Sequence, residues 1–95
     1  MIIVHDTFIC KPGNASKLAK LFKEVMSSQK QLVNIMTDMT GQFNRVIIVT
    51  QYDNLTAYEK SWESMGEAEG KKMQEAMKGY TEMYQTGSRE IFQVW

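Results

Sequence analysis

The sequence has few of the residues that mark several common classes of protein. It holds one cysteine, Cys10, and one histidine, His5, which excludes an intrachain disulfide and a metal site built on cysteine pairs. No apolar stretch approaches the roughly 20 residues of a membrane span, and no basic leader precedes a long apolar run. We therefore expect no metal, no membrane span and a reducing, cytoplasmic compartment.

The chain also has no excess of charge of either sign. Eleven Lys and Arg residues balance eleven Asp and Glu residues, whereas nucleic-acid binding needs a basic face. Phosphate loops, dinucleotide-binding glycine patterns, metalloprotease helices and nucleophile elbows are absent from the sequence. These absences predict no nucleic-acid partner and no cofactor.

What is present is an alternation of strand-like and helix-like segments. Residues 2–10 are rich in β-branched and aromatic types and stop at a Pro-Gly turn, which predicts a strand. Apolar residues then recur at three- and four-residue spacing and predict a helix over about 15–28. Further strands are expected at 32–39 and 45–52, joined by a hairpin loop that contains Gly41.

The last part of the chain is helical in character but interrupted. An apolar stripe extends over 55–84, and Gly66 and Gly70 each weaken a helix there by about 1 kcal/mol relative to alanine. A capping-box pattern at 64–67 is typical of a new helix start. We therefore expect two helices, or one kinked helix, followed by a final strand at 89–95.

This order of elements predicts an α+β fold made of one domain over residues 1–95. Two strand-helix-strand halves fit a βαββαβ, ferredoxin-like arrangement, with a four-stranded antiparallel sheet and both helical segments on one face. The helices can then cover only that face, and the other face is left to solvent or to a partner.

The predicted strands carry apolar side chains on both faces. In the third strand, Val46 and Ile48 point to one side and Ile47 and Val49 to the other. An exposed apolar face of several hundred Å² is rare in soluble monomers. Leaving such a face in contact with water loses on the order of 10 kcal/mol of the stabilisation that its burial would provide. The sequence therefore predicts a homodimer packed through its sheet faces, with scattered exposed Val and Ile as the alternative.

Four short motifs occur in the order seen in a known family. They are Lys-Pro-Gly at 11–13, Gly-Gln-Phe-Asn-Arg-Val at 41–46, Tyr-Asp-Asn-Leu at 52–55 and Arg-Glu-Ile-Phe at 89–92. Together they resemble the NIPSNAP-type domains of the dimeric α/β-barrel superfamily, and the layout is similar to antibiotic-biosynthesis monooxygenase-like domains. The resemblance implies a ferredoxin-like subunit, dimerisation through the sheets and a cleft between sheet and helices.

Asp6 and His5 are the candidate catalytic residues. Alternation places Asp6 on the apolar side of its strand with Val4 and Phe8, where a partly desolvated carboxylate suits a general base. The simpler alternative is a carboxylate satisfied by a tyrosine hydroxyl or by backbone amides. His5 points to the opposite side of the strand. One of these two side chains is therefore directed towards the helices and the other towards the dimer interior. The alternative for His5 is a structural rather than a catalytic role.

An apolar stripe on the second helical segment is the candidate substrate-binding wall. Its members are Tyr58, Trp62, Met65, Met73, Met77 and Tyr80. Core packing explains this spacing most simply, but eight methionines in the chain favour an adaptable apolar pocket.

Three functions fit these residues. The first is a cofactor-independent enzyme, monooxygenase- or isomerase-like, with Asp6 as base and a small apolar or aromatic substrate between the sheet and the second helix. The second is a non-catalytic dimeric module that binds a small apolar ligand or a protein, and the third is a structural domain with a filled cleft. A cavity of about 300 Å³ or more beside Asp6 would favour the first two.

Overall fold

In the described part of the chain, strands and helices alternate and build a four-stranded antiparallel sheet. The computed structural model describes residues 1–63 and 67–95. The strands are β1 (Ile2–Cys10), β2 (Leu32–Thr37), β3 (Arg45–Tyr52) and β4 (Tyr84–Gln93). The helices are α1 (Ala15–Met26), α2 (Leu55–Glu63) and α3 (Glu67–Ala76). A 3₁₀ turn, Tyr80–Glu82, leads into β4.

The strand order is β2-β3-β1-β4. The two strands richest in β-branched residues, β1 and β3, lie at the centre, where both of their edges are hydrogen-bonded. Ile2 lies opposite Tyr52 and Ile9 opposite Arg45 in the β1–β3 pair, and Asp6 lies opposite Arg89 in the β1–β4 pair. This order confirms the predicted ferredoxin-like arrangement.

The core forms where α1 packs on the sheet. Leu18 and Phe22 project from the apolar side of α1 and are buried, while the lysines of the same helix, Lys17, Lys20 and Lys23, stay in solvent. They join the buried cluster Cys10, Leu18, Phe22, Val46, Ile48 and Met77. Burial raises the pKa of the Cys10 thiol, which keeps it protonated and unreactive, so Cys10 is a packing residue.

The loop between β2 and β3 is held by Arg45 and Asp38. The backbone N–H of Arg45 donates to Asp38 Oδ1 at 2.7 Å, so the side chain of Asp38 ends the strand pairing that was predicted to continue to residue 39. The Arg45 side chain then donates to the carbonyls of Gln42, at 3.1 Å, and Thr40, at 3.0 Å. Gly41 adopts φ +91° beneath this guanidinium.

Two helices are present in the segment 55–84, as predicted, but the predicted helical stripe is wrong after residue 76. The helix α3 ends at Ala76, Gly79 takes a left-handed φ of +88°, and β4 begins at Tyr84 rather than at residue 89. The spacing was misleading because Met77, Tyr80 and Tyr84 pack against the same core from a turn, a 3₁₀ segment and a strand. The capping-box pattern at 64–67 lies largely outside the described residues.

The sheet face that points away from the helices, here called the open face, carries apolar side chains. Its central residues include Ile3, Ile47 and Val49, and Met36 and Phe92 lie towards its two edges. Met36 is 39% exposed and Phe92 47% exposed. No element in the described ranges covers this face. His5, Thr7 and Gln51 also lie on it, opposite Val49, Ile47 and Ile3, so the predicted apolar side chains are present but alternate with polar ones.

The contribution of the α1 contact to stability is measurable with a matched pair of leucines. Replacing Leu18, which is fully buried, with alanine removes packed methyl groups and leaves a cavity, and we expect a loss of about 3 kcal/mol in the free energy of unfolding. The same change at Leu55, which is 57% exposed, should cost less than about 0.5 kcal/mol. Urea denaturation of both variants checks this, and equal losses would contradict the assigned core.

Two glycines provide a test of the break after α3. An added Cβ meets no atom within 4 Å at either Gly79 or Gly70, so only backbone conformation differs. Gly79→Ala should destabilise the fold by about 1 kcal/mol because of its positive φ, whereas Gly70→Ala, inside α3, should stabilise it by up to about 1 kcal/mol. Thermal melting of both variants shows whether each substitution lowers or raises the stability of the fold. Stabilisation by Gly79→Ala would contradict the left-handed turn.

Candidate functional site

A pocket of about 520 Å³ lies between the sheet and the helices. Phe8 and Ile48 provide its floor from β1 and β3, and the three helices provide its walls, with Phe22 from α1, Tyr58 from α2 and Met73 from α3. Its size and its mostly apolar and aromatic lining are those of a small-molecule site. The cleft is therefore not filled by the described side chains.

The charged groups of this lining are Asp6 and Arg89, which face each other across the β1–β4 pair. Arg89 Nε donates to Asp6 Oδ1 at 2.5 Å. The Arg89 side chain is 47% exposed and that of Asp6 is 21% exposed, so Arg89 lies nearer to solvent. The hydrogen bond from Arg89 to Asp6 raises the pKa of Arg89 and outweighs the opposing effect of burial.

Aromatic rings of α2 surround the guanidinium. Its central carbon lies 5.9 Å from the ring centroid of Tyr58 and 5.5 Å from that of Trp62, within the range of cation–π attraction. Tyr58 also contacts Trp62 and Tyr52 edge-on. These contacts link α2 to β3 through Tyr52 and to β4 through Arg89.

The Tyr58 hydroxyl is a polar group without a partner. It is buried, and it makes no hydrogen bond within the part of the chain that the structure describes. Buried hydroxyls are normally satisfied, and leaving one unpaired costs about 1–3 kcal/mol. Tyr58 lines the pocket, so its ring contributes to the wall while its hydroxyl stays buried out of contact with solvent.

The structure brings most of the predicted binding residues together with Asp6. The pocket lining includes Asp6, Tyr58, Trp62, Met73, Met77 and Tyr80. Met65 lies outside the described residues. His5 lies on the open face instead, with its ring 5.2 Å from that of Phe92, so Asp6 faces the helices and the two catalytic candidates do not converge.

Sequence reasoning missed Arg89. The partner of Asp6 is this guanidinium rather than a tyrosine hydroxyl or backbone amides. The sequence did contain a clue to this role. Arg89 lies two residues before Ile91, so the two side chains point to the same face of a strand that was expected to pair with β1. The register that aligns Arg89 with Asp6 could not be predicted because β4 begins five residues before the predicted start.

Neither a metal site nor a membrane helix is present in the described ranges. Within residues 1–63 and 67–95, no three His, Cys, Asp or Glu side chains are grouped so that they could hold a metal ion. The helices of these ranges are also too short or too polar to cross a membrane.

The fold is similar to several solved structures. An uncharacterised NIPSNAP domain protein from Burkholderia xenovorans has a TM-score of 0.81 at 12% identity, covering 100% of this chain and 95% of that chain. A NIPSNAP family protein from Agrobacterium tumefaciens has a TM-score of 0.80 at 15% identity, covering 97% and 90%. An antibiotic biosynthesis monooxygenase has a TM-score of 0.61 at 10% identity, covering 100% and 99%. At these identities the similarity shows the fold alone.

Family membership comes from a sequence comparison. No curated protein sequence matches the chain. The NIPSNAP family model matches residues 6–91, nearly the whole length, and the matched range includes both Asp6 and Arg89. The chain therefore belongs to the NIPSNAP family.

Proposed function

We propose that this protein binds a small, largely apolar or aromatic molecule in the pocket between sheet and helices, and that it does so as a homodimer. The observation that carries the proposal is the pocket of about 520 Å³, lined by aromatic and methionine side chains with one ion pair. Its volume argues against the third candidate function, a structural domain with a filled cleft. A cytoplasmic location is part of the proposal, since Cys10 is unpaired and buried.

The geometry favours binding over catalysis. Asp6 Oδ1 accepts the hydrogen bond from Arg89, so at least one oxygen of the candidate base serves to position a neighbour. His5 projects from the other side of β1 and cannot assist Asp6 in the pocket. Proton abstraction by Asp6, in a cofactor-independent monooxygenase- or isomerase-like reaction, stays the second candidate because Oδ2 accepts no hydrogen bond from the described residues.

The open face supports the homodimer. On this face Phe92 pairs with Ile3 and Met36 pairs with Ile47, so large apolar side chains extend from β4 to β2. Exposed apolar residues gathered on one face mark an interaction surface. A second copy of the chain has the same face, and a twofold axis would pack the two faces against each other so that each covers the apolar side chains of its partner.

Filling the pocket should block ligand binding. N-phenyl-1-naphthylamine, a neutral aromatic dye, should bind the wild-type protein with an increase in fluorescence. Met73→Trp should weaken this binding by at least about tenfold, because the larger ring occupies the space beside Tyr58 and Phe22. Met39→Trp is the matched control, since Met39 is 97% exposed in the β2–β3 loop, and it should bind the dye as wild type does. Equal binding by both variants would place the dye elsewhere.

A charge on the open face should break the proposed dimer. Light scattering of the wild-type protein at micromolar concentration should give twice the chain mass of 11.0 kDa. Ile47→Lys places an unpaired charge at the centre of the interface, and burying it on dimerisation costs several kcal/mol. This variant should therefore scatter as a monomer, while circular dichroism should show that the chain is still folded. Leu55→Lys, on the exposed side of α2, should stay dimeric. A wild-type particle of 11 kDa would refute the dimer.

A further inference from the structure

Arg89 has hydrogen-bonding capacity that the fold does not use. A guanidinium carries five N–H donors, and only Nε is engaged, by Asp6. The two terminal amino groups donate to none of the described residues, although the side chain lines the pocket. The hydrogen bond from Nε to Asp6 and the contacts of the guanidinium with Tyr58 and Trp62 orient these donors before any ligand arrives.

We propose that the pocket is specific for aromatic or aliphatic carboxylates, with the carboxylate bound by the two terminal amino groups of Arg89. This inference rests on the proposed function, since it names the class of molecule that the pocket takes. Arginine binds carboxylates through paired N–H groups in one plane. The apolar part of the ligand then lies against Phe8, Phe22 and Met73.

An anion fits this end of the pocket better than a cation does. Asp6 is the lining carboxylate in the described ranges, and its charge is already balanced by Arg89 at 2.5 Å. A cationic ligand would have to share Asp6 with the guanidinium and would be repelled by it. Arg89 is also more than twice as exposed as Asp6, so its charge is the one that an incoming group meets.

Three naphthalenes of similar size test the inference by isothermal titration calorimetry. 2-Naphthoate, 2-naphthamide and 2-naphthylmethylammonium share one apolar ring system and differ in charge. The wild-type protein should bind the carboxylate about tenfold more tightly than the amide, as expected for a hydrogen bond between charged groups, and the ammonium more weakly than the amide.

Two variants assign the preference to Arg89. In Arg89→Gln the affinity for 2-naphthoate should fall to that for 2-naphthamide, while amide binding stays within about twofold. Arg89→Gln leaves the carboxylate of Asp6 without its partner, and this carboxylate would repel 2-naphthoate. The double variant Asp6→Asn with Arg89→Gln removes both charges, and the same measurement is therefore repeated with it. Asp6→Asn alone keeps the guanidinium and removes the competing carboxylate, so its preference for 2-naphthoate should match or exceed that of wild type.

The outcomes separate this inference from the proposed function. Equal affinities for 2-naphthoate and 2-naphthamide, both abolished by Met73→Trp, would overturn carboxylate specificity and leave the binding pocket in place. A preference for the ammonium, or a carboxylate preference that persists in the double variant, would overturn the role of Arg89. Failure of all three compounds and of the neutral dye to bind would overturn both proposals.

Discussion

The central position of β1 determines most of the features of this fold. Because β1 is hydrogen-bonded to β3 on one side and to β4 on the other, each residue from Ile2 to Ile9 has a fixed neighbour on both strands. The register puts Asp6 beside Arg89 on the helix side and His5 beside Glu90 on the open face. The ion pair of the pocket is therefore a consequence of strand pairing and does not depend on a flexible loop.

The pocket arises because the helices contact the sheet unequally. Leu18 and Phe22 fix α1 tightly to the sheet over Cys10 and Val46, whereas α2 has no fully buried residue and reaches β4 through aromatic contacts with Arg89. The space between these two regions is lined by side chains that are large but adaptable, and methionine is the residue type best suited to such a boundary. The packed core and the pocket thus occupy neighbouring parts of one helical layer.

The sequence predicted the elements that depend on local pattern and missed those that depend on pairing. The bounds of β1 and β3 were predicted correctly, because their β-branched residues end at clear turn signals. The start of β4 was not, because the polar segment from Tyr84 to Ser88 becomes a strand only through its hydrogen bonds with β1. Arg89 was missed for the same reason: its role follows from lying opposite Asp6, and that register is a property of the folded chain.

Alternation along β1 divides the strand into two sets of residues that can change independently. Val4, Asp6 and Phe8 belong to the helix side, and Ile3, His5 and Thr7 belong to the open face. Point substitutions can therefore alter the chemistry of one surface while the other keeps its composition, which allows relatives to diverge in one property at a time. A one-residue insertion or deletion near the start of β1 would instead exchange the two sets, and we expect such length changes to be selected against in this strand.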